Sequence, residues 1–215
     1  MSILTTNAIE RMDKEKIIGK FGGDYIADEY SYIMGIDIRF TDHLANRFKN
    51  RKVLETCSGA GFTTISLAKN ASHVYSVEID TPRLEIAKIN LKIAGLENEV
   101  TFFNGDITLT KMLDLLPPID AAFIDPDWAV TGENHIYRFL NSNTKPPSDK
   151  LLRLIFKITS NITIIQPPFI DKKEFRKLPP HECESLYFNG QHELYCLHFG
   201  DLARFTGDSK FVVNE

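Results

Sequence analysis

The 215-residue sequence predicts a doubly wound α/β fold: a mostly parallel, seven-stranded sheet with helices on both faces and a terminal antiparallel hairpin. Three observations carry that expectation. From Lys52 onward, short β-branched runs alternate with longer segments of helical period. Asn189-Gly190, a pair that accepts the positive φ angles of a tight hairpin turn, separates two apolar alternating segments near the end. The composition, 43% hydrophobic and 25% charged, is that of a chain able to bury a core.

In order along the chain, strands are expected at 52–55, 74–79, 100–103, 121–124 and 162–165, with helices at 61–68, 82–94, 107–115 and 148–159 between them. Pro82 near a helix start and Gly95 at its end supply the punctuation of the second helix. Segments 182–188 and 191–199 form the hairpin. This ending separates the sequence from nicotinamide-binding folds, whose second half repeats parallel crossovers. Residues 1–50 are read as a helical extension interrupted at Phe21-Gly22-Gly23, either a lid over one sheet edge or a contributor to a substrate pocket. Residues 51–215 are read as the catalytic domain.

A net charge of -4 supplies no global attraction for polyphosphate, so contact with nucleic acid requires a local basic surface. Two such surfaces are visible: a stretch after Trp128 containing Asn134, His135, Tyr137, Arg138, Phe139, Asn143 and Lys145, and the run Lys172, Lys173, Arg176, Lys177. The first reads equally well as a surface loop with Phe139 turned inward. In the second, Glu174 favours a solvated helix face. Three cysteines without CxxC spacing argue for reduced thiols, and the six histidines show no ligand spacing, so no metal is expected. Without an apolar run of membrane-spanning length, a cytoplasmic, non-membrane location is expected; the oligomeric state is not legible.

The chemistry concentrates in Glu55-Thr56-Cys57-Ser58-Gly59-Ala60-Gly61, a buried strand that ends in a small-residue turn and opens a helix. Gly59 and Gly61 allow a ligand to approach the backbone closely. Strand two ends in Glu78, able to accept from ribose hydroxyls, and strand three leads into Asp106, able to accept from an adenine amine. Successive strand ends line one crevice, and Cys57, Ile79 and Ile107 are counted with this cofactor set. A dinucleotide turn needs a third glycine three residues after Gly61, where this chain has Thr64. Glu55 can instead pair with a cationic amine, so S-adenosyl-L-methionine (SAM) is the cofactor expected.

Strand four ends in Asp125-Pro126-Asp127-Trp128. An exocyclic amine conjugated to a ring needs acceptors that hold its N–H groups and aim the nitrogen, a role open to the Asp125 carboxylate and the Pro126 carbonyl, with Trp128 stacking on the base. Asp-Pro as a plain turn and Trp128 as a core residue is the competing reading. Gln166-Pro167-Pro168-Phe169 has a similar look, but follows strand five, further from the cofactor crevice, and is read as pocket wall or rigid loop.

On the Glu55–Gly61 turn, Glu78-Ile79-Asp80, Gly105-Asp106, Pro126-x-Trp128 and the final Phe199-Gly200-Asp201-Leu202, the sequence resembles the RNA cap guanine-N2 methyltransferases within the class I SAM methyltransferases. Only the Pro-x-Trp and the Phe-Gly-Asp-Leu are particular to the cap family. The resemblance implies methyl transfer to N2 of guanosine in RNA, with Asp125, Pro126, Asp127 and Trp128 at the amine. It also marks a departure: Asp127 stands where the family pattern has proline. A small-molecule or protein acceptor, a metal-dependent O-methyltransferase using Asp125 with Asp127, and a noncatalytic SAM- or RNA-binding module remain open alternatives at this point.

Overall fold

In a computed structural model of the chain, residues 12–128 and 137–214 are described. Within them lies one eight-stranded sheet of order β3-β2-β1-β4-β5-β7-β6-β8. The strands are β1 (Lys52–Thr56), β2 (His73–Glu78), β3 (Val100–Asn104), β4 (Ala121–Ile124), β5 (Ile162–Gln166), β6 (His181–Phe188), β7 (Gln191–Phe199) and β8 (Gly207–Val213). Strands β1 to β5 are parallel, and β7 runs against both β5 and β6. At the hairpin tip Asn189 and Gly190 both take positive φ, 48° and 81°, as their sequence predicts.

The expected seven strands become eight. β8 pairs in parallel with β6 along its whole length, from Glu182 opposite Gly207 to Phe188 opposite Val213. Its polar first half, Asp208-Ser209-Lys210, hides the strand from any apolar-run criterion.

Among the described residues seven α-helices flank the sheet: α1 (Lys14–Phe21), α2 (Glu29–Met34), α3 (Ile38–Ala45), α4 (Phe62–Ala68), α5 (Thr81–Ile93), α6 (Thr110–Leu113) and α7 (Ser148–Ile155). α1 ends where the glycine pair predicts, with Gly22 in the left-handed conformation at φ 74°. The helix expected at 107–115 shrinks to α6, because the Asp106 carboxylate accepts from both the amide and the hydroxyl of Thr108 and holds that stretch as a turn. α7 is likewise shorter than expected; beyond Ile155 the chain closes in separate turns, with Ile158 N–H on the Ile155 carbonyl.

Because side chains alternate across a strand, each strand feeds two cores. Val53, Val74, Ala121, Phe123 and Ile165 pack beneath α4 and α5 together with Ile17, Phe40, Leu44 and Phe48 of the N-terminal segment. Leu54, Val77, Ala122, Ile124, Ile162 and Ile164 face α6 and α7 through Met112, Leu151, Leu152 and Ile155. Each fully buried Val, Leu, Ile, Phe or Met among them contributes on the order of 2 kcal/mol. The N-terminal segment thus belongs to the first core.

Polar contacts tie that segment down. The buried Asn90 side chain of α5 accepts from the Ile26 amide at 2.7 Å and donates to the carbonyls of Ile26 and Ala60, both at 2.9 Å. Arg47, in the 3-10 turn after α3, binds both oxygens of Glu182 at 2.8 and 3.0 Å, Glu184 at 3.1 Å and the Leu202 carbonyl at 2.6 Å. Glu184 is also bonded by His43 and His198, and His198 by Thr163. Two of the histidines therefore serve this buried network.

Candidate active site

The turn between β1 and α4 is built from three left-handed residues, Cys57 at φ 62°, Gly59 at 54° and Gly61 at 83°. The glycines have different work. A Cβ on Gly61 would stand 3.0 to 3.2 Å from Ala87 and Leu91, so Gly61 lets the turn pack against α5. A Cβ on Gly59 would meet nothing within 4 Å, because that backbone faces an open cleft.

Glu78 locks the turn in place. One carboxylate oxygen accepts from Gly59 N–H at 2.8 Å and the other from Asp80 N–H at 2.9 Å. A carboxylate offers about four lone-pair directions, so capacity for hydroxyl donors is left on each oxygen. Ile79 beside it is 66% exposed, Ile107 is buried, and Asp106 spends one oxygen on Thr108. These four residues sit at the carboxyl ends of β2 and β3, outside the lining of the main cleft.

That cleft, counted with its solvent-open mouth, has a volume of about 670 Å³. Glu55, Cys57, Ser58, Gly59 and Ala60 line one side, and Asp125, Pro126, Asp127 and Trp128 the other. The sequence-predicted cofactor turn and acceptor turn therefore share one space, as adjacent parallel strands β1 and β4 require. The roof is Tyr30, Ser31 and Met34 of α2, with Gly35 and Ile36 after it, and Arg83 of α5 closes one end.

Two carboxyl groups in this space titrate far from their ordinary range. Burial pushes Glu55 up to about 7, opposed by the hydrogen bond from the Thr64 hydroxyl and reinforced by the charge of Glu78. Burial, then the charges of Glu55 and Asp127, raise Asp125 to about 7 as well. The Cys57 thiol is pushed up by burial and by the charges of Glu78, Asp125 and Asp127, so it stays protonated and is no nucleophile.

Asp127 is held by the chain around it. It exchanges backbone hydrogen bonds with Lys145, at 3.0 and 2.8 Å, and its side chain accepts a 2.8 Å bond from the Tyr30 hydroxyl. The Arg83 guanidinium lies 4.1 Å from the centre of the Tyr30 ring. Trp128 is half-buried, 6.3 Å from Tyr137 in an edge-to-face pair. Phe139 is buried, while Asn134 and His135 lie outside the described residues.

Tyr30, Met34 and Arg83 escaped the sequence reading. The one available signal was Asp127 itself: a half-buried carboxylate in an apolar turn calls for a donor, and the sequence does not say which.

The model of the RNA cap guanine-N2 methyltransferase family matches residues 50–181, more than half of the chain. The chain belongs to this family. The family is one of SAM-dependent methyltransferases. Its match to catechol O-methyltransferase of Mycobacterium tuberculosis is 34% identical over 97 residues, 41% of this chain and 42% of that one. Release factor glutamine methyltransferase of Bacillus anthracis is 36% identical over 96 residues, 45% of this chain and 33% of that one. The chain spans less than half the length of these curated relatives.

Among solved structures, a candidate methyltransferase of Porphyromonas gingivalis W83 superposes with a TM-score of 0.71 at 18% identity, over 86% of this chain and 47% of that one. An RNA methyltransferase of Salinibacter ruber bound to S-adenosyl-L-homocysteine gives 0.51 at 16% identity, over 75% and 91%. Both likenesses are of fold.

The residues of this methyltransferase fit SAM. Open space stands over Gly59, and the buried Ser58 hydroxyl in the cleft has no hydrogen-bond partner among the described residues. Glu55 presents a buried acid for a cationic amine, and Glu78 keeps acceptor capacity for a ribose. Among the described residues no group of three or more His, Cys, Asp and Glu side chains is arranged to hold a metal, and no helix is long and apolar enough to cross a membrane.

Proposed function

We propose that this protein methylates the exocyclic N2 amine of guanosine in RNA. The observation that carries the reading is that Asp125, Pro126 and Trp128 face the Gly59 turn across a single cleft. Family membership supports the same acceptor. SAM along the Glu55–Gly61 turn would supply a methyl group on a positively charged sulfur; Glu55 would hold the amine of its methionine half and Glu78 its ribose, with Cys57, Gly61, Ile79, Asp106 and Ile107 shaping the rest of the cradle.

The acceptor amine is a poor nucleophile because its lone pair is conjugated with the ring. Asp125, ionised, takes one N–H and the Pro126 carbonyl the other, which turns the lone pair toward the methyl site. Trp128 stacks on the guanine. As the nitrogen becomes positive, Asp125, with a value near 7, takes up the departing proton. Asp127 acts through position: tied to Tyr30 and Lys145, it fixes the turn that presents Asp125. We further infer that residues 1–50 are an extension working as part of the catalytic unit formed with 51–215, since α2 roofs the cleft.

The test is incubation with methyl-labelled SAM and fractionated RNA, protein and small metabolites, followed by nucleoside mass spectrometry. N2-methylguanosine in RNA is the expected product. Label confined to protein or metabolites would remove the guanine acceptor and leave the methyltransferase assignment standing.

A further inference from the structure

Beyond the acceptor turn, three aromatic rings lead outward. Trp128 meets Tyr137 at 6.3 Å, and Tyr137 meets Phe169 at 6.0 Å with an interplanar angle of 33°. Phe169 is 74% exposed, the most exposed of the large apolar side chains among the described residues. Its exposure is imposed by the chain on either side. Gln166 before it is fully buried and bonded to Ser148, Pro167 and Pro168 fix φ, and Ile170 after it is anchored in the core. The ring is thus held out in water by a stiff loop.

The next turn is cationic on its outside. In the 3-10 segment Lys172–Lys177, the acid that would neutralise the run, Glu174, is turned inward: its carboxylate accepts from the amides of Phe139 and Leu140 at 2.7 and 2.9 Å. Lys172 pairs with Asp208 at 2.6 Å, and Asp171 caps the Lys173 amide. Lys173, Arg176 and Lys177 remain exposed. In a chain of net charge -4, this is a local positive turn that begins three residues after the exposed ring.

We propose that Phe169 is a second base-stacking platform, and that with Lys173, Arg176 and Lys177 it binds the nucleotide flanking the target in a single-stranded RNA segment. Bases stack on aromatic faces whatever their identity, and cations beside such a platform track the phosphates between stacked bases. A duplex keeps its bases stacked on one another and offers none to Phe169. The proposal rests on the guanosine reading for the chemistry in the cleft, but the platform itself is tested by binding.

A fluorescently labelled single-stranded oligoribonucleotide containing one guanosine is titrated by polarisation against the full chain. Phe169→Ala is expected to weaken binding about tenfold or more, and Phe169→Trp to restore it. The double variant Lys173→Ala/Arg176→Ala is expected to lower the slope of log affinity against log salt by about 1.4. In turnover, the ratio of kcat/KM for the oligonucleotide over that for guanosine monophosphate should fall about tenfold in Phe169→Ala. Wild-type affinity in Phe169→Ala, or equal affinity of the native chain for duplex and single-stranded RNA, would overturn the platform. Phe169-dependent binding without N2-methylguanosine would uphold the platform and remove the guanosine reading alone.

Discussion

The Tyr30 hydroxyl donates a 2.8 Å hydrogen bond to the Asp127 carboxylate across 97 residues of sequence. It joins α2, in the N-terminal segment, to the turn after β4. Hydrogen bonds to charged groups contribute about 1.5–3 kcal/mol. Tyr30→Phe should therefore lower kcat/KM for the acceptor roughly 10- to 100-fold, with a smaller change in SAM affinity. Steady-state kinetics beside calorimetric titration of SAM separates the two, and unchanged acceptor kinetics would show that the bond does not steady the turn.

Asp125 and Gly59 line the same cleft, and in the function proposed above they serve different ligands. Asp125→Ala should reduce kcat by about 100-fold or more while SAM still binds. Gly59→Val puts a branched side chain on a φ of 54° and into the cofactor's space, so it should weaken SAM binding itself by at least about tenfold. Equal loss of SAM affinity in both variants would mean that the two sides of the cleft have been assigned wrongly.

The acceptor step should follow Asp125. Below its value of about 7 the carboxyl is protonated and accepts poorly, so kcat/KM should rise about tenfold per pH unit and level off above 7. Glu55→Gln removes one of the charges that raise Asp125 and should move the inflection to lower pH. A profile flat from pH 5.5 to 8.5 would remove Asp125 as the titrating group.

Glu55 also sets a pH dependence of stability. Its value is 4.5 in the ordinary range and about 7 when folded, so the folded chain keeps a proton that the unfolded chain loses. The associated stability is complete below about pH 4.5 and disappears as pH rises through 7. Urea midpoints of the cofactor-free protein at pH 5 and pH 8 should differ less in Glu55→Gln than in the native chain.

At the far side of the sheet the sign reverses. Burial pushes Glu182 up, but the Arg47 guanidinium, the Arg204 amide and the Ser209 hydroxyl outweigh it and hold the carboxyl at about 2. Its stabilising contribution is present above about 4.5 and lost as pH falls through 2. Arg47→Met leaves two buried carboxylates without their cation, a loss of about 3–5 kcal/mol, and should lower Tm by roughly 10 °C. The stability difference between that variant and the native chain should narrow as pH falls and the two carboxyls, no longer held down by Arg47, take up protons.

The parallel half of the sheet was legible because each strand is an apolar run closed by turn residues, and the tight turn between β1 and α4 because glycine marks it. The hairpin was legible because Asn189 and Gly190 adopt the φ angles their types favour. β8 was not: its place depends on backbone pairing with β6, which needs no apolar signature. The roof over the cleft was not legible either. Tyr30 reaches Asp127 through the packing of α2, and periodicity within a six-residue helix holds no record of what lies 97 positions away. Glu174 was misleading for a related reason. Beside three lysines and an arginine it reads as a neutralising neighbour, whereas the fold spends its charge on two backbone amides.

The side-chain amide of Asn90 joins the Ile26 backbone to the Ala60 carbonyl inside the cofactor turn. The first fifty residues are therefore not a portable module. A chimera that exchanged them for those of a relative would need to bring its own backbone partner for Asn90; otherwise the graft would loosen the turn between β1 and α4, many residues downstream of the splice.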